Sequence, residues 1–376
     1  MKICILSMQR VPNFGSILQG YSLKCILEDL GHEVDFIDIE EREEDDQYAK
    51  SSRKSYSHEY GVKSKSKLDR YLLNRLRNKR KNQKQKKIMQ SFQDRIIKLR
   101  PENNSGHYDM CVIGSDEVFN AMNASEWGFT SQLFGNVPQA DKVITYAASC
   151  GFTTYQDLPR DVISIIRESF KNISAFSVRD DNTRQFVKMM SKQFIDVHCD
   201  PVVIADFTEE ASQQADVKGL PDRYCIVYAY HDRMNHPAEI AAIKKICHEH
   251  KMTPVSVGSS QFWIGRHMVL NPFQIPYVFA HADFVITDTF HGTIFSAKYS
   301  SRFAVLVRES NRNKLGDLLD KLRIGDHKLQ DIKDMEGIYS IKHDKNTMHD
   351  IEKLERERAL KYLETYCSEN ASVKYI

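Results

Sequence analysis

KICILSMQRVPNFGSILQGYSLKCILEDLGHEVDFIDI, residues Lys2 to Ile39, decides the fold. It opens on an apolar run, Lys2 to Met8, of buried-strand length. The turn-forming Pro12-Asn13-Phe14-Gly15 then gives way to helically spaced apolar residues from about Ser16 to Leu30. Gly31 ends that helix, and HEVDFIDI supplies a second strand. Strand, helix and strand in this order make a βαβ unit, whose crossover requires a parallel sheet, and the glycine-bearing loop sits at the carboxyl end of the first strand.

The alternation continues outward from there. Tyr108 to Ile113 reads as a strand ending in Gly114-Ser115-Asp116, Lys142 to Ala148 as one ending in Ser149-Cys150-Gly151, and Ala175 to Val178 as one ending at Arg179-Asp180. Open α/β sheets bind ligands at the carboxyl ends of their strands, so these loops are expected to share one cleft. The polar stretch Thr208 to Asp222, with Gly219-Leu220-Pro221, marks a boundary between a domain of residues 1–218 and one of residues 219–376. Beyond it, strands at Tyr224 to Tyr230, Pro254 to Val257, Phe284 to Thr287 and Phe303 to Val307 alternate with helical patterns near 237–250, 291–300 and 311–322. Thr347 to Cys367 reads as an amphipathic helix that could cross back to brace the first domain. The fold class is α/β with two Rossmann-like domains, and 376 residues at 41% hydrophobic content are enough for two cores.

Composition narrows the setting. No run of eighteen apolar residues occurs, and Ile3 to Met8 is too brief for a signal peptide, so the chain is expected to be cytoplasmic and not membrane-spanning. Eight cysteines are scattered singly without a C-x-x-C pair, which suits reduced thiols and gives no metal site. Net charge is +2, yet Lys50 to Arg100 holds 18 basic residues against 3 acidic ones. This helical excursion (about 45–100) reads either as a solvated surface or as a peripheral contact with an anionic membrane or lipid-linked substrate at the inner face of the membrane. Nucleic acid is not expected, because Tyr56, Tyr60 and Tyr71 come with no nucleic-acid motif.

The densest polar feature is FVITDTFHGTIFS, Phe284 to Ser296, where a strand ends and Asp288, Thr289, His291, Gly292 and Thr293 crowd the turn into a helix. A helix N-terminus offers unpaired N–H donors, Gly292 opens the backbone to an anion, and His291 can move a proton near neutral pH. The plainer reading makes Asp288 or Thr289 a helix cap, His291 a structural residue and Arg179 the partner of Asp180 or of another carboxylate.

Taken with the other strand ends, the chain resembles the polysaccharide pyruvyltransferase family. The residues that carry the likeness are NFGSILQGYSL with GHEVDFID (Asn13 to Asp38), VIGSDEVFN (Val112 to Asn120), YAASCG (Tyr146 to Gly151), SVRD (Ser177 to Asp180), DPVV (Asp200 to Val203) and ADFVITDTFHGTIFS (Ala282 to Ser296). The resemblance implies two Rossmann-like domains facing across a cleft in the GT-B manner. It also implies phosphoenolpyruvate as co-substrate with no metal or other cofactor. Phosphoenolpyruvate would give its pyruvyl group to a sugar of a capsule, an exopolysaccharide or a lipid-linked oligosaccharide precursor, forming a cyclic ketal. By the same resemblance His291 is the catalytic acid or base and Arg179 holds the donor's charge from the opposite domain. Asp288, Thr289, Gly292 and Thr293 stand on the donor side with one of Arg308, Arg312 or Lys314, of which Lys314 is favoured by the LGDLL that follows it.

Asn13, Gln19, Ser115, Asp116 and Asn120 are candidates for the acceptor side, their plainer role being turn structure. Glu117 stands where the family commonly has glutamine, Phe119 where it has tryptophan, and Thr289 where it has serine; the first two put the acceptor sugar in question. Two other functions fit the same residues: a nucleotide-sugar glycosyltransferase on this architecture, and a non-catalytic carbohydrate-binding relative.

Overall fold

The computed structural model describes residues 1–40, 69–122, 127–214 and 216–367; the first part of the basic excursion, residues 41–68, lies outside them. Two sheets, each parallel throughout, account for the strands among the described residues. The first comprises β1 (Lys2–Leu6), β2 (Glu33–Phe36), β3 (Tyr108–Asp116), β4 (Ala140–Ala148), β5 (Ile173–Val178) and β6 (Ile195–Val197), in the order β2-β1-β3-β4-β5-β6. The second comprises β7 (Tyr224–Ala229), β8 (Thr253–Gly258), β9 (Phe284–Thr287), β10 (Phe303–Leu306) and β11 (Lys328–Leu329), in the order β11-β10-β9-β7-β8. These are the two Rossmann-like domains read from the sequence, in the GT-B-like architecture that the family resemblance implied. The edge strands β6 and β11, three and two residues long, escape sequence reading because so short a run shows no periodicity.

Each sheet reverses its strand order once, between β1 and β3 in the first and between β7 and β9 in the second. Connections leave such a point toward opposite faces, so a crevice opens beyond the carboxyl ends of the two strands. Helix α1 (Phe14–Asp29) enters from one crevice, started by Asn13, whose side chain accepts the Ser16 amide at 2.8 Å. Helix α2 (Asp69–Ile96) follows β2 in the chain, and helix α3 (Pro201–Ile204) follows β6. On the second sheet, α4 (Phe290–Tyr299) leaves β9 and α5 (Arg312–Lys321) lies beyond β10; α6 (Lys345–Tyr366) closes the described chain.

One buried apolar cluster runs through both halves, from Ile3, Ile5 and Phe14 to Tyr228, Val255 and Phe295. Burying each such side chain contributes roughly 1.5–3 kcal/mol, so the halves are joined by core and not by a linker alone. Tyr362 and Leu363 of α6 enter the same cluster, the Tyr362 hydroxyl donates to the Thr145 carbonyl at 2.9 Å, and Lys142 Nζ donates to the Tyr366 carbonyl at 2.6 Å. Helix α2 does similar work from the other side. Its Met89 and Phe92 are buried, as is Ile97 just beyond its end; Gln93 donates to the Gln9 carbonyl after β1, and Gln85 exchanges two hydrogen bonds with the Leu270 backbone, at 2.7 and 2.9 Å. All eight cysteines are free thiols, seven of them buried. Among the described residues, no helix is long and apolar enough to cross a membrane.

Candidate active site

The two crevices face one another and enclose a cleft of about 130 Å³. The first sheet supplies Asn13, Phe14 and Ser16 after β1, Asp116 and Glu117 at the end of β3, and Arg179 after β5. The second supplies Tyr228 and Tyr230 from β7 and its loop, Thr289 and His291 at the start of α4, and Lys314 from α5. Gln85 and Met89 of α2 complete the wall.

Asp200 is the centre of the arrangement. It begins α3, where Pro201 fixes the first helical position and the Asp200 side chain accepts the Val202 amide at 3.1 Å. Its other oxygen, Oδ2, accepts Ser115 Oγ at 3.0 Å and Arg179 Nη1 at 2.9 Å, and His291 Nε2 lies 3.4 Å away, at ion-pair distance without hydrogen-bond alignment. Burial would raise the Asp200 pKa, but His291, Arg179 and the Val202 amide outweigh it and hold the carboxyl well below the usual carboxylate range.

A guanidinium from one sheet and an imidazole from the other thus meet at one carboxylate oxygen. Arg179 is 5% exposed, and its guanidinium also stacks on the Phe290 ring at 3.9 Å. The approach of the two halves depends on Gly15, since a Cβ there would stand 2.1 Å from His291 Nδ1.

A second bridge crosses the cleft. Lys314 Nζ donates to Glu117 Oε1 at 2.9 Å, and Asn120 donates to Glu117 Oε2 at 2.8 Å. Burial would raise the Glu117 pKa, but Lys314, Asn120 and Arg179 bring it down to about 2. Next to it Asp116 holds φ +66°, the left-handed region, in place through Ser16 Oγ at 2.6 Å and a hydrogen bond from the Ser149 amide to its carbonyl. A non-glycine residue pays of order 1–3 kcal/mol for that conformation, which aims its carboxylate toward the cleft.

The remaining sequence candidates sit elsewhere. Gln19 is buried and donates to Ser7 Oγ, Ser115 supports Asp200 from behind, and Asn120 is bonded to Glu117 and Thr153. Asp288 is buried against Arg308 at 2.6 Å and Arg233 at 3.8 Å, so Arg308 turns away from the cleft; burial raises the Asp288 pKa against the pull of those arginines. Arg312 pairs with Glu309 on the surface. Thr293 donates to the Thr289 carbonyl inside α4.

The expected anion cradle at the start of α4 differs in detail. The Gly292 amide donates to Thr289 Oγ1 at 3.0 Å, and a Cβ at Gly292 would collide with Thr287, Thr289 and Tyr228. Close packing, not anion access, requires that glycine. Nor is the cleft simply cationic: Arg179, Lys314 and His291 face Asp116, Glu117 and Asp200.

Sequence reading passed over Asp200, Glu117 as an ion-pair partner, and the two tyrosines. The one local signal was the aspartate of DPVV, which reads equally as a helix cap. Among the described residues, no group of three or more His, Cys, Asp or Glu side chains is placed to hold a metal ion.

The sequence matches the family described as polysaccharide pyruvyl transferase over residues 13–310, a span that takes in Asn13, Arg179, Asp200 and His291 and stops short of Lys314. No curated protein matches it significantly. Among solved structures, similarity extends to S. aureus MnaA determined with UDP, at 13% identity and a TM-score of 0.48 over 100% of this chain and 99% of that one. It extends also to the UDP-GlcNAc 2-epimerase of Methanocaldococcus jannaschii, at 10% identity and a TM-score of 0.47 over 96% of this chain and 100% of that one.

Proposed function

The chain belongs to the polysaccharide pyruvyl transferase family, and on that premise we propose that it moves a pyruvyl group from phosphoenolpyruvate to two hydroxyls of one sugar. The product is a cyclic ketal on a cell-surface polysaccharide or its lipid-linked precursor, and phosphate is released. The observation that supports this reading most is the meeting of Arg179 and His291 at Asp200 beside the cleft.

Phosphoenolpyruvate carries a carboxylate and a phosphate on one carbon, so its site must meet about three negative charges while leaving the methylene open to a proton. Arg179 and Lys314 are the two cations suited to it, and Lys314 is preferred over Arg308 and Arg312 because it alone of the three lines the cleft. His291 gives a proton to the methylene carbon, which makes the adjacent carbon electrophilic, and one sugar hydroxyl bonds to it. The carbon–oxygen bond to phosphate then breaks, and the second hydroxyl closes the ring. Of the two hydroxyl protons, one restores His291 and the other leaves on phosphate. Asp200 acts as a positioning residue that keeps Arg179 and the imidazole in register. Asn13, Ser16 and Asp116 stand on the acceptor side. In this scheme phosphoenolpyruvate is a co-substrate, and no metal or resident cofactor takes part.

Phosphate release from phosphoenolpyruvate, measured with a panel of lipid-linked and free oligosaccharide acceptors, tests the assignment. His291→Ala and Arg179→Ala should each lose at least a hundredfold in turnover, the scale of a lost general acid or anion clamp, with the circular dichroism spectrum unchanged. Near-normal turnover in a folded variant removes that residue from the mechanism.

A further inference from the structure

Helix α2 carries more positive charge than its packing uses. Its inner face is fixed to both halves of the molecule: Gln85 binds the Leu270 backbone, Lys81 donates to the His267 carbonyl, Phe92 meets Phe273 edge-on at 4.8 Å, and Gln93 holds the Gln9 carbonyl. The outer face therefore has a set orientation relative to the cleft. Between residues 79 and 100 it and the segment after it expose eight lysines and arginines, against the one acid Asp94. Beside the helix runs a second groove, of about 380 Å³, lined by Lys84, Lys87 and Arg95 together with the apolar Ile88 and Phe92, and among the described residues no acid lines it.

A groove lined by both cations and apolar side chains suits an amphiphile with an anionic head better than a free anion, whose binding would gain nothing from Ile88 and Phe92. We propose that the outer face of α2 docks on an anionic phospholipid bilayer, with lipid headgroups at Lys84, Lys87 and Arg95. Because Gln85 and Met89 of the same helix line the catalytic cleft, docking brings that cleft to the membrane surface, where a lipid-carried acceptor is presented. The inference stands on the geometry of α2 and does not require that phosphoenolpyruvate be the donor.

Vesicle sedimentation tests it without donor or acceptor. The full chain should pellet with phosphatidylcholine vesicles containing phosphatidylglycerol, not with phosphatidylcholine alone, and the binding should fade as salt is raised. Each removed base should weaken partition roughly fivefold, so the triple variant K84Q/K87Q/R95Q should lose on the order of a hundredfold. The control K342Q/K353Q/K361Q, which neutralises exposed lysines of α6 and the segment before it, should retain binding. All three residues of the α2 variant are exposed, and its thermal melt should match the wild type. Equal pelleting with both vesicle types, or equal loss in the two triple variants, overturns the proposal.

Discussion

A single oxygen atom, Asp200 Oδ2, joins three segments that lie far apart in the chain: the carboxyl end of β3 through Ser115, the loop after β5 through Arg179, and the start of α4 through His291. The second bridge, Glu117 to Lys314, has a direct consequence for an anionic donor. The Glu117 carboxylate occupies the cation that the proposed donor would engage and repels incoming negative charge. Glu117→Gln should therefore tighten phosphoenolpyruvate binding roughly tenfold, read as the dissociation constant by calorimetry; weaker binding would show that Glu117 itself holds the substrate.

The same pair makes stability depend on pH. With a pKa of about 2 folded against an ordinary 4.5, Glu117 stabilises the fold fully above pH 4.5, and that contribution is lost as pH falls toward 2. Asp200 acts in the same sense. Denaturation midpoints should fall across that window in the wild type and fall less in Glu117→Gln. Strand-end position was enough to mark His291, Arg179, Asn13, Asp116 and Thr289 in the sequence. Asp200 and Glu117 were not legible as partners, because an ion pair across the chain leaves no local pattern.

At the scale of elements, α4 begins at Thr289, one of the two caps the sequence offered, whereas α1 begins two residues earlier than its apolar spacing suggests, because Asn13, read there as a turn residue, caps it. The helices read near 237–250, 291–300 and 311–322 lie within a residue or so of those bounds, at Pro237–Glu249, Phe290–Tyr299 and Arg312–Lys321. Helix α2 shows where that logic stops. Composition marked it as charged and solvated, yet scattered inner residues such as Gln85, Met89 and Phe92 tie both halves together, and a buried glutamine gives no amphipathic signal. Gln85→Ala strips both hydrogen-bond partners from the Leu270 backbone and should cost about 1–3 kcal/mol in denaturant unfolding. A change under a few tenths of a kcal/mol would mean that α2 lies on the surface without bracing it.

For the whole molecule, two sheets each reverse strand order once, and the chain is arranged so that both reversals open on the same space. The first of these was readable in the opening βαβ unit, the second in the polar crowding after β9. That the two would face each other was implied by the family resemblance and by no periodicity in the chain; the shared apolar cluster behind them followed only from the assembled chain.

The central claim is that this space receives phosphoenolpyruvate. Isothermal titration of the wild-type protein with phosphoenolpyruvate, alongside UDP- and GDP-sugars, addresses it most directly. Saturable binding of phosphoenolpyruvate alone is expected, weakened roughly tenfold or more in Lys314→Ala by loss of a charge-assisted contact. Saturable binding of a nucleotide sugar with none of phosphoenolpyruvate would contradict the account and assign the cleft to glycosyl transfer.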